Sequence, residues 1–278
     1  MIRIVMRCLL VLIWIAILQP ASAAKYEILF EEGAFRYDPN SDPNDVDNKY
    51  LTRVTVKKDG NVLATDIRGS TLPDAWVFYR RWNVELKQTN TPSDTDIVTM
   101  FQYFEKQTGE LRDSNARLGG TRLADIADIL DVLNRVPAIK TGNYPFVMGL
   151  HKSGKSKHGH PYAPRLLGGP KGKPFDPTDS NSTATTVGGF IRTLNKNNAQ
   201  GQSYLADGIN VHDGRTNEDY KDSEGCLTIR PQDWKKFYES LSSPEDWIKY
   251  NHVGVVSVSR PVPPQAVTIP APQNLRVQ

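Results

Sequence analysis

The sequence LTRVTVKKDGNVLATD, residues 51–66, predicts a β-hairpin and decides the class of the fold. Residues 51–56 supply one leucine and two valines for the first strand, and residues 62–64 form the returning strand. The segment Asp59-Gly60-Asn61 lies between them, and these residue types tolerate the backbone angles that a tight hairpin turn requires. We therefore expect a fold built mainly from β-strands.

The rest of the chain continues this β pattern around one helical interruption. Short apolar or β-branched runs predict further strands at residues 26–30, 138–148, 209–212 and 253–258. Residues 74–136 are expected to be a mostly helical insertion, because residues 96–104 and 122–136 carry apolar side chains at helical spacing. Pro231 at a first helical position predicts a helix over 231–238. The expected class is mainly β (α+β), with one domain over 48–260.

Three segments are expected to lie outside regular structure. Residues 24–47 are expected to form an N-terminal arm that contains only one short strand, and residues 151–187 a long loop rich in Gly, Pro, Lys and Ser. Residues 261–278 hold five prolines and predict a disordered tail. The aromatic residues within the insertion are interpreted as core rather than as a ligand platform: Trp76, Phe78, Tyr79 and Trp82.

The first 23 residues have the pattern of a secretory signal peptide. Arg3 and Arg7 give a positive start, residues 8–18 are apolar, and Ala21-Ser22-Ala23 is a small-residue cleavage site. The apolar run is short for a membrane span, which needs roughly 20 residues. We expect cleavage after Ala23, a periplasmic or secreted protein, and no stable membrane insertion of the mature chain.

Charge and motifs argue against nucleic acid and nucleotide as partners. The net charge is +3, and it falls to about +1 when two arginines leave with the signal peptide (34 − 2 basic against 31 acidic residues). Residues 149–156 match the phosphate-binding pattern G-x-x-x-x-G-K-[ST]. The sequence that follows, KHGHPYAP, cannot begin the helix that this motif requires, so we interpret the match as accidental.

Cys226 is the strongest candidate for chemistry in the sequence. The chain has two cysteines, and Cys8 is expected to leave with the signal peptide, so no internal disulfide is possible in the mature protein. A buried structural cysteine is the plain alternative. The turn-like sequence Asp222-Ser223-Glu224-Gly225 directly before Cys226 favours a nucleophile over a core residue.

His212 is the matching candidate for a base. It follows the short apolar run Ile209-Asn210-Val211, which predicts that a strand delivers it fourteen residues before Cys226. A neutral imidazole can take the proton of a thiol, and its second ring nitrogen then needs a partner that orients the ring. Asp213 or a loop carbonyl could be that partner, and the sequence does not decide between them.

The order of these motifs resembles the L,D-transpeptidase (YkuD-like) catalytic domain family. A strand ending in His, a polar loop and then Ser-x-Gly-Cys is similar to that family's signature, and Gly142-Asn143-Tyr144 is similar to its upstream segment. Together with the 51–66 hairpin, the resemblance covers roughly 48–72 and 138–258. It implies a β-sandwich with an inserted helical part, acting on peptidoglycan stem peptides through a thioester on cysteine.

The resemblance also assigns roles residue by residue. It implies Cys226 as nucleophile and His212 as base, with Ser223 and Gly225 shaping the turn and the oxyanion hole. The residues expected to contact substrate are Arg230, Tyr144, Glu224 and His151. It implies neither a metal nor another cofactor. The sequence departs from the family pattern at Glu224, where a histidine is usual, and at Thr228, where Arg or Asn is usual.

Two other hypotheses for the function also fit the sequence. Three histidines in the 151–160 region, or His212, could serve a zinc-dependent cell-wall amidase or peptidase: His151, His158 and His160. A non-catalytic cell-wall-binding protein with a degenerate site is the other, and Glu224 and Thr228 favour it. An NlpC/P60-type peptidase is disfavoured, since there the cysteine precedes the histidine in the chain.

Overall fold

The fold is described by a computed structural model. It covers residues 26–41, 45–72, 78–79, 82–83, 86–100, 137–150, 162–194, 205–214, 225–241 and 253–262. Two α-helical segments longer than two residues occur in these ranges, α1 (residues 94–100) and α2 (Pro231–Ser240), and a 3-10 helix spans Val46–Lys49. The strands are β1 (Tyr26–Glu31), β2 (Thr52–Lys58), β3 (Asn61–Ser70), β4 (Gly142–Leu150), β5 (Tyr162–Gly168), β6 (Thr186–Val187), β7 (Ile191–Arg192), β8 (Leu205–Ala206), β9 (Val211–Asp213), β10 (Leu227–Ile229) and β11 (Val253–Ser259).

Nine of these strands form one sheet, in the order β6-β5-β4-β11-β1-β2-β3-β10-β9. Two neighbouring pairs are parallel, β1 with β11 and β9 with β10, and the other pairs are antiparallel. Strands β7 and β8 form a separate two-stranded sheet. The prediction of a mainly β (α+β) fold is confirmed.

The large sheet curls until its two ends meet. The backbone N–H of Leu166 in β5 donates to the carbonyl of Ile209, two residues before β9, at 2.9 Å. Arg165 and Asn210 form an antiparallel bridge at the same place. The curling closes the sheet's inner face around one core and holds the segment before β9 from both sides.

The predicted hairpin is present, and it extends beyond its expected end. Asp59 and Gly60 adopt φ values of 52° and 80°, which a two-residue hairpin turn requires at both positions. Strand β3 continues to Ser70, because its last residues pair with β10 through Gly69 and Ser70. The hairpin therefore delivers β3 directly to the strand that follows Cys226.

One apolar core fills the inside of the curled sheet, and helix α2 packs against it. Buried residues come from eight strands of the large sheet and from β7 and β8, and α2 contributes Trp234, Phe237 and Tyr238. Pro231 is the first residue of α2, as predicted. A residue at this position makes no intrahelical N–H bond, so the missing N–H of proline costs nothing there. The backbone N–H of Arg68 in β3 donates to the Asp233 carboxylate at 3.0 Å and ties the helix to the sheet.

A second apolar cluster forms where the insertion leaves and rejoins the sheet. It contains Phe78, Tyr79 and Trp82 together with Ile97 and Met100 of α1. The prediction that the insertion's aromatic residues form core is confirmed for these three. The predicted helix at 122–136 and the aromatic residue Trp76 lie outside the described residues.

The prediction of a structureless loop over 151–187 is wrong for residues 162–168 and 186–187, and residues 151–161 lie outside the described residues. Residues 162–168 form β5, which pairs with β4 on one side, and residues 186–187 form β6 on the other side. Pro and Gly in this segment predicted a loop, but pairing with distant strands compensates for their weak local preference. Ala163 and Leu166 are buried, which anchors β5 to the core.

Strand β1 lies in the middle of the sheet, although residues 24–47 were expected to form an arm. It pairs with β2 and with β11, which comes from the other end of the chain. Residues 1–23, expected as the signal peptide, and nearly all of the 261–278 tail lie outside the described ranges. Within those ranges, no helix has the length and apolar character needed to cross a membrane.

Candidate active site

Cys226 lies at the end of the sheet where the chain enters β10. The next residue, Leu227, donates its backbone N–H to the carbonyl of Asn210 at 3.0 Å, which fixes Cys226 beside Asn210. In the parallel pair that follows, Leu227 faces Val211 and Thr228 faces His212. Leu227 and Val211 belong to the apolar core. Because side chains alternate along strands, Cys226, Thr228, Asn210 and His212 lie on the opposite face.

Asn210 is the residue that contacts the thiol, and no sequence motif pointed to it. Its Nδ2 lies 4.0 Å from Cys226 Sγ and donates to the Gly208 carbonyl at 2.6 Å. The side chain is buried, and among the described residues its Oδ1 has no hydrogen-bond partner. The i, i+2 spacing of Asn210 and His212 on one strand was the available signal, since it predicts a shared face.

The ring of His212 is oriented by its own backbone neighbour. His212 Nδ1 lies 2.6 Å from the carbonyl oxygen of Asp213. A carbonyl oxygen only accepts, so Nδ1 must carry the hydrogen of this bond. In the neutral ring Nε2 is then the nitrogen that can take a proton, as a general base requires. The sequence left Asp213 or a loop carbonyl as the partner that orients the ring. In the structure this partner is the backbone carbonyl of Asp213, which bonds to Nδ1.

His212 and Cys226 are diagonal neighbours across the parallel strand pair. Thr228 is directly opposite His212, and Cys226 precedes Thr228 by two residues on the same face. One strand spacing combined with two residues of rise gives a Cα separation of roughly 8 Å. His212 is half-buried and Cys226 is also half-buried. The arrangement leaves both side chains within reach of one substrate.

The turn before Cys226 requires glycine. Gly225 has a φ of +110°, which is strained for any residue with a side chain. A Cβ at this position would lie 2.9 Å from both the Cγ and the carbonyl oxygen of Pro137. Pro137 is where the chain returns from the insertion, so the insertion's end and the cysteine turn fit against each other.

The remaining predicted site residues fall into two groups. Ser223, Glu224 and His151 lie outside the described residues, and their roles stay predictions. Arg230 and Tyr144 are described, and both are engaged elsewhere in the fold.

Arg230 holds the start of α2 in place at the far end of β10 from Cys226. Its Nη1 donates to Asp47 at 2.6 Å and its Nε donates to Asp233 at 2.9 Å. The guanidinium loses solvation by its partial burial, but these two carboxylates outweigh that loss and raise the pKa of Arg230. Contact between Arg230 and a substrate carboxylate stays a prediction, and it would compete with these ion pairs.

Tyr144 is fully buried in the core. Its hydroxyl donates to the carbonyl of Lys140 at 2.7 Å, and its ring meets Phe175 edge-on at 6.0 Å. Burial raises the pKa of the Tyr144 hydroxyl above its usual value. In this position the side chain stabilises β4, and it presents no surface to a substrate.

A buried polar network lies at the same end of the sheet as Cys226. Thr52 and Thr71 both donate to the carboxylate of Glu32, and Arg260 donates to Thr71 at 2.8 Å. Arg260 Nη1 pairs with Asp94 at 2.7 Å, so a more exposed carboxylate already balances its charge. Burial therefore raises the pKa of Glu32, although Arg260 and the two hydroxyl groups oppose the shift.

No metal centre is formed by the part of the chain that the structure describes. No group of three or more His, Cys, Asp and Glu side chains in those ranges could hold an ion. The three histidines that motivated the zinc alternative, at 151, 158 and 160, lie outside them. The candidate site consists of Cys226, His212 and Asn210.

Comparison with known protein families, with curated proteins and with solved structures gave no match for this chain.

Proposed function

We propose that this protein is an exported cysteine enzyme that acts on peptidoglycan stem peptides. The observation that carries the proposal is the arrangement of Cys226 beside Asn210 and diagonal to His212 on two parallel strands. A half-buried thiol, a nearby imidazole with a fixed tautomer and an amide beside the sulfur are the parts that thiol acyl transfer needs. The L,D-transpeptidase-like motif order supplies the substrate class.

The reaction begins with proton transfer from the thiol. His212 Nε2 takes the proton of Cys226, and the thiolate attacks the carbonyl carbon of a stem-peptide bond. The Nδ1–H bond to the Asp213 carbonyl keeps the ring in the tautomer that this step requires. The Nδ2 of Asn210 faces the sulfur and favours the thiolate by its donor dipole.

The intermediate then breaks down to a thioester. The oxyanion collapses, the C–N bond breaks, and the leaving amine takes the proton from His212. The family resemblance assigns the oxyanion hole to the turn that contains Ser223 and Gly225, where backbone N–H groups would stabilise the oxyanion. An amine then resolves the thioester to a cross-link or an exchange product, and water resolves it to a trimmed stem.

The test is mass spectrometry of muropeptides after incubation with the purified protein. We expect new cross-links or trimmed stems with the wild-type chain and neither with Cys226→Ala. Trapping adds a second readout, since the acyl-enzyme increases the mass of the wild-type chain and not that of the variant.

Asn143→Ala is the matched control, because Asn143 is exposed on β4 and its side-chain oxygen accepts a hydrogen bond from Ser257, away from Cys226. It should turn over muropeptides at the wild-type rate. Unchanged muropeptides with the folded wild-type chain, or equal turnover by Cys226→Ala, would contradict the proposal. Activity that a metal chelator abolishes would instead favour the zinc alternative.

A further inference from the structure

One peptide group connects the imidazole of His212 to the strand that follows Cys226. The carbonyl of Asp213 accepts the hydrogen bond from His212 Nδ1 at 2.6 Å. The N–H of the same peptide group belongs to Gly214, and it donates to the carbonyl of Ile229 in β10 at 2.7 Å. Because a peptide group is planar, its orientation relative to β10 also sets the direction in which its carbonyl points at the ring. The position of Gly214 therefore bears on the tautomer of His212.

The ring of Tyr50 occupies the space beside Gly214. Tyr50 is fully buried. A Cβ on Gly214 would overlap the Tyr50 hydroxyl, and it would lie 2.6 Å from Cζ and 2.9 Å from Cε1 of the same ring. Apart from chain neighbours, these are the three heavy atoms nearest to such a Cβ. An alanine at this position can be accommodated only if the tyrosine ring or the peptide group moves.

The backbone conformation of Gly214 gives no second reason for glycine. Its φ lies outside the left-handed region that favours glycine, in contrast to the +110° of Gly225. The cost of a side chain at 214 therefore comes from the contact with Tyr50. The two glycines of the site differ in this respect, since one is required by a turn and the other by a neighbouring ring.

Tyr50 is held in place by the 3-10 helix that precedes it. Its backbone N–H donates to the carbonyl of Asp47 at 3.2 Å. The carboxylate of Asp47 accepts from Arg230 Nη1 at 2.6 Å, and Arg230 directly follows β10. The tyrosine is in this way fixed relative to the same strand that accepts the Gly214 N–H.

We propose that Tyr50 and Gly214 are positioning residues that hold the Asp213 carbonyl where it accepts the Nδ1 hydrogen of His212. The tyrosine ring restricts movement of Gly214, and the bond to Ile229 restricts rotation of the peptide group. The carbonyl then keeps the hydrogen on Nδ1 and leaves Nε2 free to take a proton. If the peptide group turned away, the neutral ring could carry its hydrogen on either nitrogen.

The catalytic consequence rests on the proposed function, whereas the tautomer itself does not. A neutral ring with its hydrogen on Nε2 cannot take the proton of Cys226 through that nitrogen. We expect Gly214→Ala to lower kcat for muropeptides by about 10- to 100-fold, because a positioned base contributes roughly 10²- to 10⁴-fold. KM should stay near the wild-type value, since the substitution acts on the ring and not on a substrate contact.

Nitrogen-15 NMR of the full chain, labelled at histidine, tests the proposal without any substrate. The chain has five histidines, and the signals of His212 are assigned by their loss in His212→Gln. At a pH where the ring is neutral, the wild-type chain should carry the hydrogen on Nδ1 alone, and Gly214→Ala should show both tautomers. The double variant Gly214→Ala/Tyr50→Leu should return to Nδ1, because leucine lacks the three atoms that the alanine would meet.

Two single variants complete the comparison. Gly172→Ala is the matched control and should keep the wild-type tautomer, because a Cβ at Gly172 meets no atom within 4 Å and its φ is also outside the left-handed region. Tyr50→Leu should lower the melting temperature, since a buried ring is lost. It should also show a minor share of the second tautomer, because the peptide group gains freedom that the added methyl of the double variant takes up again.

The tautomer of His212 decides the outcome. Hydrogen on Nδ1 alone in Gly214→Ala, or a mixture in the double variant as large as in Gly214→Ala, would overturn the proposal. If Gly214→Ala does not fold by itself, recovery of folding by Tyr50→Leu with the hydrogen on Nδ1 supports the proposal, and a mixture there overturns it. These results are measured on the ring itself, so they are separate from the muropeptide assay that tests the proposed function.

Discussion

Replacement of Asn210 by aspartate tests whether this side chain lies against the reactive sulfur. Asn210→Asp keeps the side-chain shape, removes the Nδ2 donor that lies 4.0 Å from Cys226 Sγ, and places a negative charge there. Two unit charges 4 Å apart interact by about 4 kcal/mol at an effective dielectric constant near 20. This is an upper value, because Cys226 is half-exposed and water screens the pair.

With that screening, we expect the pH midpoint of thiol alkylation to rise by about 1 to 2 pH units. Because the thiolate is the nucleophile, alkylation at neutral pH should slow by about 10- to 100-fold. The assay follows iodoacetamide incorporation by mass spectrometry across pH, in a Cys8→Ser background that leaves Cys226 as the single thiol. Asn210→Leu removes the donor without adding charge, so its midpoint should rise by less.

Asn143→Asp introduces the same charge at an exposed position of β4 and should leave the midpoint unchanged. If the midpoint of folded Asn210→Asp stays within a few tenths of a pH unit of the parent, Asn210 does not act on the sulfur. In that case the proposed thiolate environment is refuted, whatever the muropeptide assay shows.

Three further changes probe the scaffold of the site. Gly225→Ala should lower stability by about 2–3 kcal/mol and the melting temperature by roughly 5–10 °C, because of the positive φ and the contact with Pro137. Glu32→Gln should gain stability relative to wild type as the pH rises above 4.5, the ordinary pKa of the carboxyl. The raised pKa means that the native protein holds this proton longer than the unfolded chain, so wild-type stability falls as pH rises through the folded value. Arg230→Ala should lower stability by about 1–2 kcal/mol through loss of the ion pairs to Asp47 and Asp233, and its KM for muropeptides shows whether this residue also binds substrate.

Each of these three has an outcome that would contradict its reasoning. Thermal melts of Gly225→Ala that match wild type would mean that the turn relaxes without strain. A stability difference for Glu32→Gln that does not change between pH 4.5 and 8 would mean that the buried carboxyl titrates normally. A raised KM in Arg230→Ala with unchanged stability would support the substrate-binding role predicted for this residue from the sequence.

Local signals in the sequence were sufficient for several elements. The turn at Asp59-Gly60 and the proline that begins α2 act through backbone preferences of single residues, so they could be read directly. Strand β5 could not be predicted from local sequence, because its Pro and Gly content predicts a loop. Its pairing with β4 and β6 makes it a strand. Likewise, nothing local indicated that β1 would lie at the centre of the sheet.

The residues of the candidate site also differ in whether the sequence could identify them. Cys226 and His212 could be proposed from residue type and chain order. Asn210 could not be assigned without the register between β9 and β10, which places it beside the thiol. The ion pair of Arg230 with Asp47 joins residues that are far apart in the chain, and sequence spacing gave no indication of it.

The parallel pairing of β1 with β11 has a consequence for how the protein folds. Tyr26 pairs with Gly254, so the middle of the sheet can close only after nearly all the intervening chain is available. Until then the edges of β1 and β4 that pair with β11 stay open, and an open strand edge can associate with other chains. Such long-range closure slows folding, because the entropy of a large loop must be lost before the contacts form. For the export that we propose, late closure would keep the chain unfolded for longer.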